Sequence, residues 1–221
     1  MNAALAGSGE APITLDAAGW LAEPPEFRNM FNADGELVRT VLAYHRRCGF
    51  ACAVETGTFE GYTALGLARI VPSVYTIEVV EKQYCEALAR LRDQPRIHPL
   101  LGNSSAVLAQ IMPELRYPLL AFLDAHWGHY WPLRDELRLL MAVKRPKLIM
   151  IHDFQVPGRD FGFDAYLGRP CNLDYIGDVL VHDECRYVFN ERTAPGSANR
   201  GVLFIEHCLE PAPHTQERSL A

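Results

Sequence analysis

No apolar run in the sequence approaches the roughly 18 residues that a membrane-spanning helix needs, so no contact with a membrane is expected. Basic residues are in the minority. Lys and Arg number 21 against 27 Asp and Glu, and a formal net charge of −6 disfavours a nucleic-acid backbone as partner. The cysteines at positions 48, 52, 85, 171, 185 and 208 form no CxxC pair, which argues against a zinc cluster and for free buried thiols instead of disulfides. Internal repeats and low-complexity tracts are also missing. The stretch Met1–Gly7 has neither a basic region nor a long apolar one, so no secretory signal is expected and a cytoplasmic location is. These absences leave homo-oligomerisation open.

What is present is ordinary globular composition, 49% hydrophobic and 22% charged, over 221 residues, enough for one sizeable α/β domain. A helical apolar stripe over Glu36–Arg47 follows the helix-start residues Asn32-Ala33-Asp34-Gly35. Short apolar runs then lie at Phe50–Glu55, Val74–Glu78, Ile97–Leu101, Leu119–Asp124 and Leu148–His152. Helical stretches begin between them near Gly61, Val80, Ser104 and Pro132. The last is signposted by Pro132 at its start, by Asp135 and Glu136 in the opening turns, and by Lys144 and Arg145 at its far end. Strands alternating with helices predict a parallel, doubly wound sheet. The final runs, Arg186–Asn190 and Gly201–Glu206, are separated by a loop too short for a crossover helix, which predicts an antiparallel end to that sheet. The expected organisation is an N-terminal arm or partial lid over 1–34, a main domain over 35–208 and a tail over 209–221.

Chemistry enters after the first strand. Glu55-Thr56-Gly57-Thr58-Phe59-Glu60-Gly61 opens a helix with glycines spaced G-x-x-x-G, where the backbone can approach a ligand closely. This is not the G-x-G-x-x-G of pyrophosphate binders, and Glu55 would repel a pyrophosphate. The second strand ends in Glu78, 21 residues after Gly57, where an acid can grip a ribose diol. After the third strand, Gly102-Asn103-Ser104-Ser105 reads both as a helix cap and as a contact for an adenine edge. An adenosine carrying a sulfonium and an amino-acid tail suits this set better than a dinucleotide does.

Glu55-x-Gly57-x-x-x-Gly61, Glu78 and Gly102-Asn103-Ser104 together resemble the class I S-adenosylmethionine-dependent methyltransferases, across roughly residues 35 to 206. The resemblance implies a Rossmann-like sheet of seven strands with an antiparallel final strand. It also implies S-adenosylmethionine as cofactor, held by Glu55, Gly57, Thr58, Gly61, Glu78, Asn103, Ser104 and Asp124. Phe122-Leu123-Asp124-Ala125-His126-Trp127 and Ile151-His152-Asp153-Phe154 are similar to the metal-assisted small-molecule O-methyltransferases of the catechol and macrolide-sugar types.

That similarity implies O-methylation of a small hydroxylated acceptor, with Asp124, His152 and Asp153 holding magnesium or another divalent metal. His152 departs from the pattern, because magnesium prefers oxygen ligands. His126, His129 and His152 are candidate bases, and Asp124, His126, His152 and Asp153 make up the expected catalytic set. Blander readings stand beside these: the 126–131 segment as an aromatic packing loop, and Asp153 as a turn cap. The long insert at 154–175 is expected to line the acceptor pocket. A same-fold enzyme with a hydroxylase-like reaction, or a non-catalytic cofactor-binding module, remain as alternatives.

Overall fold

The computed structural model describes residues 25–126, 130–180 and 185–209. Nine strands form: β1 Cys52–Thr56, β2 Val74–Glu78, β3 Ile97–Leu101, β4 Leu119–Leu123, β5 Lys147–Ile151, β6 Ala165–Tyr166, β7 Arg169–Pro170, β8 Cys185–Phe189 and β9 Leu203–His207 among the described residues. All but β6 and β7, which pair as a separate hairpin, make one seven-stranded sheet in the order β3-β2-β1-β4-β5-β9-β8. The pairings from β3 to β5 are parallel, whereas β9 is antiparallel to both β5 and β8. The antiparallel end read from the short 191–200 loop is therefore present.

The helices are α1 Pro25–Arg28, α2 Gly35–Cys48, α3 Tyr62–Ile70, α4 Glu81–Leu91, α5 Ser104–Ile111, α6 Leu133–Met141 and α7 Leu173–Ile176. Strands β1, β4, β5 and β9 are buried along their whole length. Covered on both faces, they need continuous apolar runs and not alternation. Successive residues of these strands supply two cores on opposite faces. Ala53, Leu120, Met150 and Phe204 pack with Phe27, Val41 and Leu67. Val54, Ala121, Ile149 and Ile205 pack with Leu108, Leu137 and Phe154.

Asp34 starts α2 by accepting from the amides of Glu36 and Leu37, and it also accepts from the Ala194 amide at 3.0 Å. Gly49 ends that helix in the left-handed region. Of the expected arm, the described part is core and not cover: Phe27, Met30 and Phe31 are buried. Asn29 and Asn32 do reach the wall of the cavity described below. Residues 1–24, with Trp20, lie outside the described residues, as do 210–221.

All six cysteines remain thiols, but only Cys52 and Cys171 are buried, while Cys85 and Cys208 are exposed. The expectation that all were buried is corrected on that point. No described helix is long and apolar enough to cross a membrane.

Candidate functional site

In the sheet order, β1 leads outward to β2 and β3 on one side and to β4 and β5 on the other. Open α/β sheets bind ligands outside the carboxyl ends of the strands at such a reversal. The tips of β1 and β4 are tied there, the Asp124 amide donating to the Thr56 carbonyl at 3.1 Å. A cavity of about 420 Å³ opens over this point, with Glu55, Gly57, Glu78, Ser104, Asp124 and His126 in its wall.

The turn after β1 is fixed by its own backbone. Gly57 has φ +87°, and a Cβ built on it would stand 2.9 Å from the Asp124 carbonyl oxygen. Its amide and that of Thr58 both donate to the Ile77 carbonyl, at 2.9 and 3.2 Å. Glu78 holds the turn from the neighbouring strand. Its carboxylate accepts from the amides of Phe59, Val79 and Val80, each at 2.9 Å. The acid expected to face a ribose thus anchors this turn.

Glu55 is wholly buried at the floor, hydrogen-bonded to Thr76 at 2.6 Å, and Thr76 in turn meets Thr58 at 2.6 Å. Burial pushes its carboxyl up to about 8, with the Asp124 and Glu78 charges adding to the effect. Asn103 is committed to capping α5, accepting from the amides of Ser105 and Ala106 and from the Ser105 hydroxyl. Gly102 and Ser104, not Asn103, line the cavity.

On the other side of Asp124 lies a charge cluster. His152 Nδ1 sits 3.2 Å from Asp124 Oδ1 and 3.1 Å from Asp153 Oδ1. Burial alone lowers this imidazole, but the Asp124 charge and the bonds to both aspartates outweigh it and raise the ring to about 10. The two carboxylates that clamp the His152 ring therefore favour its charged form. Burial raises Asp153 too, but hydrogen bonds from His152 and Arg200 overcome that and hold it well below the usual carboxylate range. Arg200, on the loop before β9, donates through Nε to Asp153 and through Nη2 to Asp164. His126 completes the cluster with Nε2 at 3.6 Å from Asp164 Oδ2. His129 and Trp127 lie outside the described residues.

Two sets of metal-ligating atoms fall within 4.8 Å of one another among the described residues: Asp124, His152 and Asp153, and His126, Asp153 and Asp164. The donors expected from the sequence are therefore gathered, but Asp153, common to both sets, already carries two cationic partners.

The insert brings Asp164, Tyr166 and Cys171 to the same side as this cluster, where they border a cleft of only about 20 Å³ beside Trp131. Trp131 stacks on Tyr175 at 4.5 Å, which fixes the insert to the start of α6.

Glu136 lines that cleft as well. Read from the sequence as an acid at a helix start, it is instead completely buried on the inner face of α6. Burial pushes its carboxyl up to about 7; the nearby Ser104 and Thr56 hydroxyls temper the shift, though neither makes a well-formed hydrogen bond with it. A carboxyl whose folded-state pKa is raised binds its proton more tightly folded than unfolded. Stability therefore falls as pH rises from about 4.5 to about 7. Glu136→Gln removes this effect. Urea titrations of both proteins at pH 5 and pH 8 are expected to show the variant gaining on the parent by a few kcal/mol at the higher pH. An unchanged gap would mean that Glu136 stays ionised in the fold.

No family model matches the sequence, and no curated protein matches it. Solved structures do. An O-methyltransferase from Bacillus cereus in complex with SAH superposes with a TM-score of 0.60 at 16% identity, over 78% of this chain and 81% of that one. An rRNA methylase from Streptococcus thermophilus gives 0.52 at 14%, over 78% and 95%. A precorrin 8W decarboxylase from Methanobacterium thermoautotrophicum gives 0.52 at 16%, over 78% and 89%. The chain thus has the Rossmann-like fold of the class I methyltransferases, the fold implied by the sequence resemblance. Three such differently named activities on one fold mean that the reaction must be argued from the site.

Proposed function

We propose that this protein is an S-adenosylmethionine-dependent methyltransferase that acts on a hydroxyl of a small molecule. The observation that carries the reading is the cradle at the sheet reversal: the Gly57 turn, the Glu78 tip, Gly102 and Ser104, and Asp124, all around one cavity. Phe59 and Val80 stand 58% and 44% exposed in its wall, bare apolar surface suited to an adenosine. Glu78 Oε2, which accepts only the Phe59 amide, keeps a lone pair for a ribose hydroxyl. Glu55 lies beneath the turn, where it can face a cationic amino-acid tail.

The transfer itself is an in-line displacement, in which the new C–O bond forms as the sulfonium C–S bond breaks. Alignment supplies much of the rate. The hydroxyl proton must leave to a base; Asp124, His126 and Asp153 are the titratable groups that both line the cavity and border the acceptor side, and with Asp153 held by Arg200 the role falls to Asp124 or His126. The cleft beside Trp131 is too narrow for an acceptor, so the acceptor enters over His126 from the open face of the main cavity. His152 and Arg200 already lie against the Asp124 and Asp153 carboxylates that a divalent metal would take.

Calorimetric titration with S-adenosylmethionine and S-adenosylhomocysteine tests this reading. Micromolar binding is expected, weakened roughly 10- to 100-fold in Glu78→Gln, since a hydrogen bond to a charged acceptor contributes about 1.5–3 kcal/mol. A thermal melt of the variant separates lost ligand contacts from a loosened turn. Absence of binding by the parent protein would remove the cofactor and the proposed activity together.

A further inference from the structure

The acidic cluster next to Asp124 carries a protein cation that the expected metal set did not include. Arg200 lies across the end of the site with Nε on Asp153 and Nη2 on Asp164. The Asp153 Oδ1 that receives Arg200 is the same atom that receives His152 Nδ1, so this oxygen already has two donors. Asp164 Oδ1 is likewise engaged. Each set of metal-ligating atoms contains Asp153, so each is interrupted by the same guanidinium.

Arg200 is placed there by its backbone. Its carbonyl accepts from the Asn190 side chain at 3.1 Å, and its neighbour Gly201 donates to the Gly162 carbonyl at 2.9 Å and accepts from the Phe154 amide at 2.8 Å. Gly162 faces the arginine across an isolated bridge. A Cβ on Gly162 would lie 3.0 Å from Arg200 Nη1 and 3.2 Å from its Cδ, so the absent side chain there is what lets the arginine lie flat. The side chain is about a quarter exposed, at 27%, and its planar fork suits two carboxylates as a single metal ion does.

We propose that the Arg200 guanidinium holds the place of a divalent cation in this site, so that the Asp153 and Asp164 carboxylates bind no metal while Arg200 is present. For turnover the inference rests on the methyltransferase reading and makes the reaction metal-independent. For cation binding it stands by itself.

Mn2+ titration followed by the electron paramagnetic resonance of free Mn2+ tests it, because the readout needs neither cofactor nor acceptor. The parent protein is expected to leave Mn2+ free. Arg200→Met is expected to bind one ion per chain at least about tenfold more tightly, and Arg200→Met with Asp153→Asn to lose that gain. Arg200→Gln, which keeps hydrogen-bond donors without the charge, serves if the methionine variant does not fold, with a gain in the same direction. Stoichiometric Mn2+ binding by the parent that is lost in Asp153→Asn would overturn the proposal. So would folded Arg200→Met or Arg200→Gln with no gain. Failure of S-adenosylmethionine to bind would leave this result intact, which separates the two readings.

Discussion

Gly57→Ala is expected to lose at least about 100-fold in affinity for S-adenosylhomocysteine. A 100-fold loss corresponds to about 2.7 kcal/mol, the order expected of the strain and the close contact at this position together. Two effects act on one atom. The backbone at φ +87° is disfavoured for any residue with a Cβ, at roughly 1–2 kcal/mol. The new Cβ would also stand 2.9 Å from the Asp124 carbonyl oxygen, which is backbone and cannot turn aside. The tips of β1 and β4 must then part, and the Asp124 amide bond to Thr56 that closes the cavity floor lengthens with them. The check is calorimetry, with a melt of the unliganded protein to show that the fold survives. Binding within about threefold of the parent would mean that the turn does not touch the cofactor; tenfold corresponds to only about 1.4 kcal/mol.

Asp153→Asn is expected to lower stability by roughly 2–3 kcal/mol, since removing one partner of a largely buried ion pair leaves its cations uncompensated. In a chain of this size that is a fall in Tm of about 4–12 °C. Asparagine is the right probe. Asp153 has φ +56°, which Asn tolerates and Ala does not, so the variant reports charge and not backbone strain. The pH dependence has a definite sign. Asp153 is held below its ordinary range, so its contribution is present above the unfolded carboxylate value and lost as pH falls through it. The gap between parent and variant should persist at neutral pH and narrow below about pH 4. A gap that stays constant down to pH 2 would show that the pair with Arg200 and His152 is not what Asp153 contributes.

Much of the scaffold was legible because it rests on local signals. The limits of β2 and β3 follow from five-residue apolar runs bounded by turns, and they coincide with the strands observed. The antiparallel end followed from loop length alone. The cradle was legible for the same reason: Gly57, Gly61 and Glu78 sit at fixed distances along the chain from a strand end.

What the sequence did not disclose depends on distant partners. Arg200 lies 47 residues from Asp153, inside a loop whose Pro, Gly, Ser and Asn content announces only a turn. Glu136 carries the pattern of a helix-start acid, and nothing local says that α6 rotates it inward beside Thr56 and Ser104. Asn103 offered two compatible roles, of which the α5 cap is the one seen in its Oδ1 contacts. One cue for Arg200 was present: Gly162 and Gly201 are glycines whose Cβ positions are filled, by the arginine in one case and by the Phe154 carbonyl in the other.

Because β9 runs against β5, with Leu203 opposite Ile151, the residues just before β9 arrive level with those just after β5. A parallel strand in that position would have delivered its leading residues to the far edge. The residues of the Gly57 turn, Glu78 and Asp124 are all in the chain once β4 has been made, whereas Arg200, which balances Asp153 and Asp164, comes in the loop just before β9. During synthesis on a ribosome, the nascent protein would therefore carry the Gly57 turn beside a cluster of unbalanced acids. That cluster closes only when the final hairpin emerges and folds back.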